Sequence, residues 1–284
     1  MSGKIAIIGC GNVGSSVAYN LYNKFDCDIV LINHNKIRAC SNALDILDGS
    51  DVKTNKIYCG DYSDICDANI VINCAGNSSL LRSMDRNGEF DNSRRIANDI
   101  ISNITKTRFK GIFINVMNPC DEITNLFRGL NIDKRKIIGT GTLLETIRLR
   151  NIVLTKYNKL TSSIIAGNHG TRNCIICNDW LKTLSDVELF SLLNEVHSRV
   201  WKIYEGKGFT NFGITYTVSQ IVDAILYNKN ITLCVSTLCT DVYGMFDCCI
   251  SVPCVLGRDG IISVVKNEQV QTGLNKLFRK EVKL

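Results

Sequence analysis

Four runs in the first half of the chain are apolar at almost every position: KIAII from Lys4, DIVLI from Asp28, NIVIN from Asn69 and GIFIN from Gly111. A strand apolar at both odd and even positions has both faces covered, which is the habit of parallel sheets lying between helices. The segments between these runs change period. SSVAYNLYNKF (residues 15–25) and KIRACSNALDILDG (36–49) carry apolar residues at helical spacing, and a third helix is expected over 93–107. A shorter strand falls near KIYCG. The alternation predicts a doubly wound parallel α/β sheet, with ligands expected at the carboxyl ends of its strands.

Turn residues mark that edge. The first run ends in Gly9-Cys10-Gly11-Asn12-Val13-Gly14, and NIVINCAG ends at Gly76. GIFINVMNPCDEIT reads as one strand that Asn118 and Pro119 stop. Residues 77–92 are polar and irregular, long enough for a loop above the edge, and they carry Arg82 and Arg86. Beyond residue 141 the order changes. Residues 185–208 form a long amphipathic pattern, opened by a capping box of Ser185 and Glu188 and ended by Gly206 or Gly208. A second helix over 211–228, strands TLCVSTL and DCCISVPCVL, and a last helix with Val270, Leu274, Leu277 and Phe278 at core spacing complete an α+β half. The expected division is a dinucleotide-binding (Rossmann) domain over 1–141 and a substrate domain over 142–284.

Composition narrows the function. The net charge of +6 is spread along the chain, which suits small anions better than nucleic acid. No apolar run approaches the roughly 20 residues of a membrane span. The opening MSGKIAIIG enters a strand without a charged leader, so a cytoplasmic location is expected. There are 14 cysteines, many inside apolar segments, where a thiol packs as a small hydrophobe. Disulfides are not expected in that compartment. Cys174 and Cys177 form a CxxC with no second pair at zinc-site spacing, so it reads as structural and no metal is expected.

Strand, glycine turn and helix in succession make Gly9, Gly11 and Gly14 a dinucleotide motif: a tight turn, a backbone that can approach a pyrophosphate, and a close helix–strand contact. The second strand ends at Asn33, where such folds place an acid on the ribose. Asparagine can accept from a 2′-hydroxyl but lacks the charge that repels a 2′-phosphate. In IIAGNHGTRN, His169 stands between glycines just past a strand, with a near-neutral pKa that suits proton transfer. A surface histidine in a turn is the plainer alternative. His197, on the long helix, reads as a surface or core residue.

Taken together, GCGNVG, ALDILDG, CAG with a downstream MDR, NPCDEIT, IIGTGTLLETIRLR, GNHG, GKGFTNFGI, VSTL and SVPCVLGRDGI resemble, in order and nearly end to end, the lactate and malate dehydrogenase family. The lactate enzymes are the nearer match. The resemblance implies NAD as cofactor, a small 2-oxo or 2-hydroxy acid as substrate, lactate and pyruvate in first place, and a homo-oligomer, dimer or tetramer. It implies His169 as catalytic acid/base, Arg148 as the clamp on the substrate carboxylate, and Arg86 as a lid arginine that polarises the carbonyl. Asn118 would hydrogen-bond the reacting oxygen, and Thr210 would line the substrate pocket. Cofactor contacts fall on the Gly9, Gly11, Asn12, Val13 and Gly14 turn, on Asn33, and on Cys74, Ala75, Gly76 and Asn118.

The chain also departs from the family. The family orients its histidine with an aspartate three residues before the clamp arginine, and here that position is Glu145. Two roles are open to it: reaching His169, which the resemblance favours, or closing a capping box with Thr142. Ser79 or Leu80 stands where lactate enzymes carry glutamine and malate enzymes arginine, and the loop is one residue longer; Arg82 lies at a different offset. Apolar Leu80 suits a methyl group better than a second carboxylate. The alternatives to a lactate enzyme are a malate enzyme and a relative that binds nucleotide or a protein partner without turnover.

Overall fold

The computed structural model describes residues 3–76, 86–170 and 172–278. The parallel half runs β1 (Gly3–Ile8), α1 (Asn12–Lys24), β2 (Cys27–Ile32), α2 (Lys36–Asp48), β3 (Ile57–Cys59), β4 (Ile70–Asn73), α3 (Arg86–Thr105), β5 (Ile112–Asn115), α4 (Cys120–Leu126) and β6 (Ile137–Gly139). It continues with α5 (Leu143–Tyr157), β7 (Ile164–Gly167), β8 (Asn173–Ile176), α6 (Asp186–Lys207), α7 (Phe212–Leu226), β9 (Ile231–Val242), β10 (Met245–Gly257), β11 (Gly260–Val264) and α8 (Glu268–Phe278). The sheet order is β3-β2-β1-β4-β5-β6-β9-β10-β7-β8, with β11 on β10. Strands β1 to β6 pair in parallel and β7 to β11 antiparallel, so the two halves join where Gly139 of β6 meets Ser236 of β9.

The continuous apolar runs divide between two layers, as doubly covered strands must. Ile5, Ile7, Ile29, Leu31, Ile70 and Ile72 pack with Val17 and Leu21 of α1 and Val218, Ile221 and Val222 of α7. Ala6, Ile8, Val30, Val71 and Phe113 pack with Ala97 and Ile100 of α3 and Ile123 of α4. A third cluster joins α5 and α6 over β7 through Leu149, Ile152, Val153, Ile165, Leu192 and Val196.

Some sequence expectations need correction. The run GIFINVMNPCDEIT is not one strand: β5 ends at Asn115, and Cys120–Leu126 is helical. The buried Asn115 amide causes the break, donating to the carbonyls of Met117 (3.1 Å) and Cys120 (3.3 Å) and to Thr124 Oγ1 (3.0 Å), which turns the chain back on itself. The Asn118–Pro119 peptide in that turn is cis. Helix α3 begins at Arg86, well before residue 93. Cys40 and Cys59 form a disulfide, against the expectation of free thiols throughout; α2 packs on β3 and brings their Cα atoms to 4.8 Å. The Ser185–Glu188 capping box is present, and α6 ends on Gly208 at φ 80°.

Candidate active site

The glycine turn is built by steric exclusion. Gly9 has φ +93°, and a Cβ there would lie 2.5 Å from the Ala75 backbone nitrogen, so only glycine lets β1 and β4 end side by side. A Cβ on Gly14 would sit 1.8 Å from the Gly9 carbonyl oxygen, which is what holds α1 against the turn. Around Gly11 nothing lies within 4 Å of a would-be Cβ. Gly11 is also the N-cap of α1, with no side-chain cap and no acid in the first turn. Its first N–H groups and the positive end of the helix dipole are left for an anion. These residues fit a dinucleotide pyrophosphate. Asn12 is exposed and Val13 half-buried on the same turn, and Cys74, Ala75 and Gly76 follow β4 beside it.

Asn33 has a second task that the sequence did not reveal. Its Oδ1 accepts from the Cys10 N–H (3.1 Å) and its Nδ2 donates to the Asn35 carbonyl (3.0 Å), tying the glycine turn to the start of α2. Asn42 of α2 adds a bond to the Cys10 carbonyl at 3.3 Å. At the same edge Asn73 and Asn115, opposite one another in register, share an amide hydrogen bond of 3.1 Å, and Asn73 also accepts from Ala75 N–H at 3.1 Å. This fully buried pair shapes the two turns that present Cys74–Gly76 and Asn118. Its only signal in the sequence is an asparagine closing each of two apolar strands.

His169 stands at the tip of the β7–β8 hairpin. Gly167, at φ +123°, leaves no room for a side chain beside the Arg172 carbonyl, and Asn168 N–H closes the turn on that carbonyl at 2.8 Å. Two buried carboxylates from different helices clamp the turn: Asp121 of α4 accepts the His169 N–H at 2.6 Å, and Glu145 of α5 accepts the Gly170 N–H at 2.9 Å. Glu145 Oε1 also lies 2.8 Å from His169 Nδ1. The contact is an ion pair lacking the in-line geometry of a hydrogen bond, and Glu145 Oε2 has no partner among the described residues. Thr142 makes no side-chain cap bond; its hydroxyl goes to the Ile165 carbonyl, so Glu145 faces His169 rather than closing a capping box.

The electrostatics follow from this placement. Burial works against the imidazolium, but Glu145, followed by Asp121, overcomes it and raises His169 to about 9. A quarter of the His169 side chain is still exposed, on a residue whose Nδ1 is taken by Glu145, which leaves Nε2 for a substrate. Burial would lift the Glu145 carboxyl, yet the adjacent imidazolium holds it below its ordinary value. Asp121 is raised, because burial outweighs its bonds to serine and the His169 backbone. Arg148, one turn along α5 from Glu145, is lowered by burial, with Glu145 opposing the shift and Arg199 adding to it. Among the described residues it has no hydrogen bond or ion pair, so a half-buried guanidinium beside His169 lacks an anion.

The remaining candidates are distributed around this centre. Asn118 is exposed in the β5–α4 turn, three residues before Asp121. Thr210 is half-buried just before α7, whose Gly213 packs against Leu144, the neighbour of Glu145. Arg86 is the first residue of α3, but its side chain, like Ser79 and Leu80 altogether, lies outside the described residues. Asp121 lies inside NPCDEIT with no sequence signal for its contact, because only the fold brings α4 under the β7–β8 turn.

Comparison with known proteins places this arrangement. Residues 3–139 match the lactate/malate dehydrogenase NAD binding domain, and residues 142–283 match the lactate/malate dehydrogenase alpha/beta C-terminal domain. The chain belongs to the lactate/malate dehydrogenase family. It is 33% identical to L-lactate dehydrogenase 1 of Peribacillus psychrosaccharolyticus over 94% of this chain and 91% of that one. It is 30% identical to L-lactate dehydrogenase 3 of Bacillus thuringiensis subsp. konkukian, over 93% of this chain and 90% of the relative. The crystal structure of the minor L-lactate dehydrogenase from Enterococcus mundtii in its ligands-bound form superposes with a TM-score of 0.85 at 27% identity, covering 98% of this chain and 96% of that one. The protein is thus an NAD-dependent 2-hydroxy acid dehydrogenase with the family's Rossmann half and α/β C-terminal half.

Proposed function

We propose that this dehydrogenase interconverts L-lactate and pyruvate, with His169 as the acid/base. The observation that carries the reading is the His169–Glu145 ion pair of 2.8 Å one helical turn from Arg148, a half-buried guanidinium with no ion pair among the described residues. When bound, NADH supplies the hydride that reduces C2 of the oxo acid. Arg148 receives the substrate carboxylate with its planar fork and so fixes the carbonyl relative to His169. His169 carries a proton at Nε2 for the carbonyl oxygen and takes it back when the hydroxy acid is oxidised. Glu145 holds the Nδ1 side and stabilises the imidazolium. Asn118 donates to the reacting oxygen, Thr210 borders the pocket, and Arg86, from the start of α3, polarises the carbonyl.

The glycine turn and the open start of α1 would hold the pyrophosphate, and Asn33 would have one lone pair left for the ribose. We assign the enzyme to the cytoplasm; no helix among the described residues is long and apolar enough to cross a membrane. A homo-oligomer fits the exposed Tyr19 of α1 and Phe212 and Tyr216 of α7, aromatic residues on helices that pack together. The test is NADH oxidation with pyruvate, oxaloacetate and longer aliphatic 2-oxo acids. Pyruvate is expected to give the highest kcat/KM, and a higher value with oxaloacetate would move the assignment to malate.

A further inference from the structure

Strands β9 and β10 carry five of the chain's cysteines, and on one rung of their ladder a cysteine stands on both strands: Cys239 directly opposite Cys248. Opposed residues of an antiparallel pair lie about 4.5–5.5 Å apart at Cα and project from the same face, inside the roughly 4.4–6.8 Å a disulfide spans. The Cys239 thiol donates to the Thr237 carbonyl of its own strand at 3.7 Å. Both cysteines are free thiols, unlike Cys40 and Cys59. Cys239 is buried within the large core cluster, whereas Cys248 is half-buried at its margin, near the hairpin end where Phe246 is exposed. The neighbouring Cys249 is buried and opposes Leu238, so it faces away from the pair.

We propose that Cys239 and Cys248 are a reversible dithiol–disulfide site, oxidised by hydrogen peroxide and restored by a small thiol. The half-buried Cys248 is the sulfur that reacts first. The adjoining Cys239 sulfur holds it below the ordinary thiol range and it is the more exposed of the two, so it is the readier to lose its proton. The Cys248 thiolate attacks one peroxide oxygen, the O–O bond breaks, and the departing hydroxide leaves as water with the proton Cys248 gave up. Cys248 is then a sulfenic acid. Cys239 Sγ attacks the Cys248 sulfur, the S–O bond breaks, and hydroxide takes the Cys239 proton as a second water. Two thiols are oxidised to one disulfide while one peroxide is reduced to two waters. The rung lies three steps from the Ser251–Ser236 rung, where the Ser251 hydroxyl meets Asp121 and the Thr142 N–H. Closure therefore staples the hairpin without entering the site itself.

The test uses the full-length protein, treated with graded hydrogen peroxide, blocked with iodoacetamide, unfolded and cleaved before aspartate. Cuts before Asp241 and Asp247 separate the two cysteines, so a disulfide appears as a cross-linked pair of peptides in the mass spectrum. The expected result is a Cys239–Cys248 link that forms before oxidation of the exposed Cys66 and vanishes with dithiothreitol. In Cys239→Ser, dimedone should trap Cys248 as sulfenic acid. Recovery of both cysteines alkylated from wild-type protein whose Cys66 is already oxidised would overturn the proposal. So would a link from either cysteine to a different partner.

Discussion

In the proposed role of His169, the balance of charges around the ring would set the direction of proton transfer. Glu145 and Asp121 raise the imidazole to about 9, so the protonated form needed to reduce an oxo acid persists through neutral pH. kcat/KM for pyruvate reduction should be flat through neutrality and fall as pH rises through about 9, while lactate oxidation, which needs the neutral ring, should rise over the same interval. The sign for stability is the same. A histidine raised in the folded state adds stability below its unfolded pKa near 6.5, and that increment is lost as pH rises through about 9. Glu145→Gln removes the largest upward influence. The pyruvate profile should then break at lower pH and kcat should fall on the order of a hundredfold, with the unfolding midpoint nearly unchanged only above about pH 9, where the histidine's increment is already lost. A large loss of stability at unchanged rate would assign Glu145 a structural role. Arg148→Met should raise the pyruvate KM on the order of tenfold to a hundredfold, as expected for about 1.5–3 kcal/mol from hydrogen bonds to a charged group. Most of these residues were legible by spacing and type. That Glu145 reaches Nδ1 off the axis of a hydrogen bond was not, because it depends on how α5 and the β7–β8 hairpin accommodate one extra methylene.

At the scale of elements, apolar runs with glycine ends predicted most of the parallel strands, since burial on both faces leaves no polar alternation to misread. The failures came where side chains override local pattern. The run from Gly111 reads as a strand that Asn118 and Pro119 stop, yet β5 ends earlier, at Asn115, because that buried amide makes three bonds to its own continuation. The short β8 was hidden because its residues read equally well as a CxxC segment. Asn115→Ala should destabilise the protein by about 1–3 kcal/mol, the cost of leaving buried partners unsatisfied, and the measure is the denaturant midpoint. It should also weaken catalysis through the misplaced Asn118 turn. A midpoint within error of wild type would show that the Asn73–Asn115 pair does not organise the edge. Gly14→Ala forces a contact with the Gly9 carbonyl, and NADH titration by fluorescence should show weakened binding even where the variant folds.

Over the whole molecule, the site is assembled from both halves. The glycine turn, Asn118 and Asp121 belong to the parallel half, while Glu145, Arg148 and His169 follow β6. The Asp121–His169 hydrogen bond ties one half to the other at the proposed acid/base. The change from alternating to segregated elements is a one-dimensional signal, which the order of elements along the chain carries. The juxtaposition of α4, α5 and the β7–β8 tip is three-dimensional and left no comparable mark. The cysteine pairing was misjudged for the same reason: Cys40 and Cys59 are 19 residues apart and meet only because α2 lies on β3. The most direct measurement is the loss of NADH absorbance on adding pyruvate to the purified enzyme, followed across pH. The account predicts turnover that falls as pH rises through about 9 and a lower break in Glu145→Gln. Folded protein that binds NADH yet turns over neither pyruvate nor any other 2-oxo acid would contradict it.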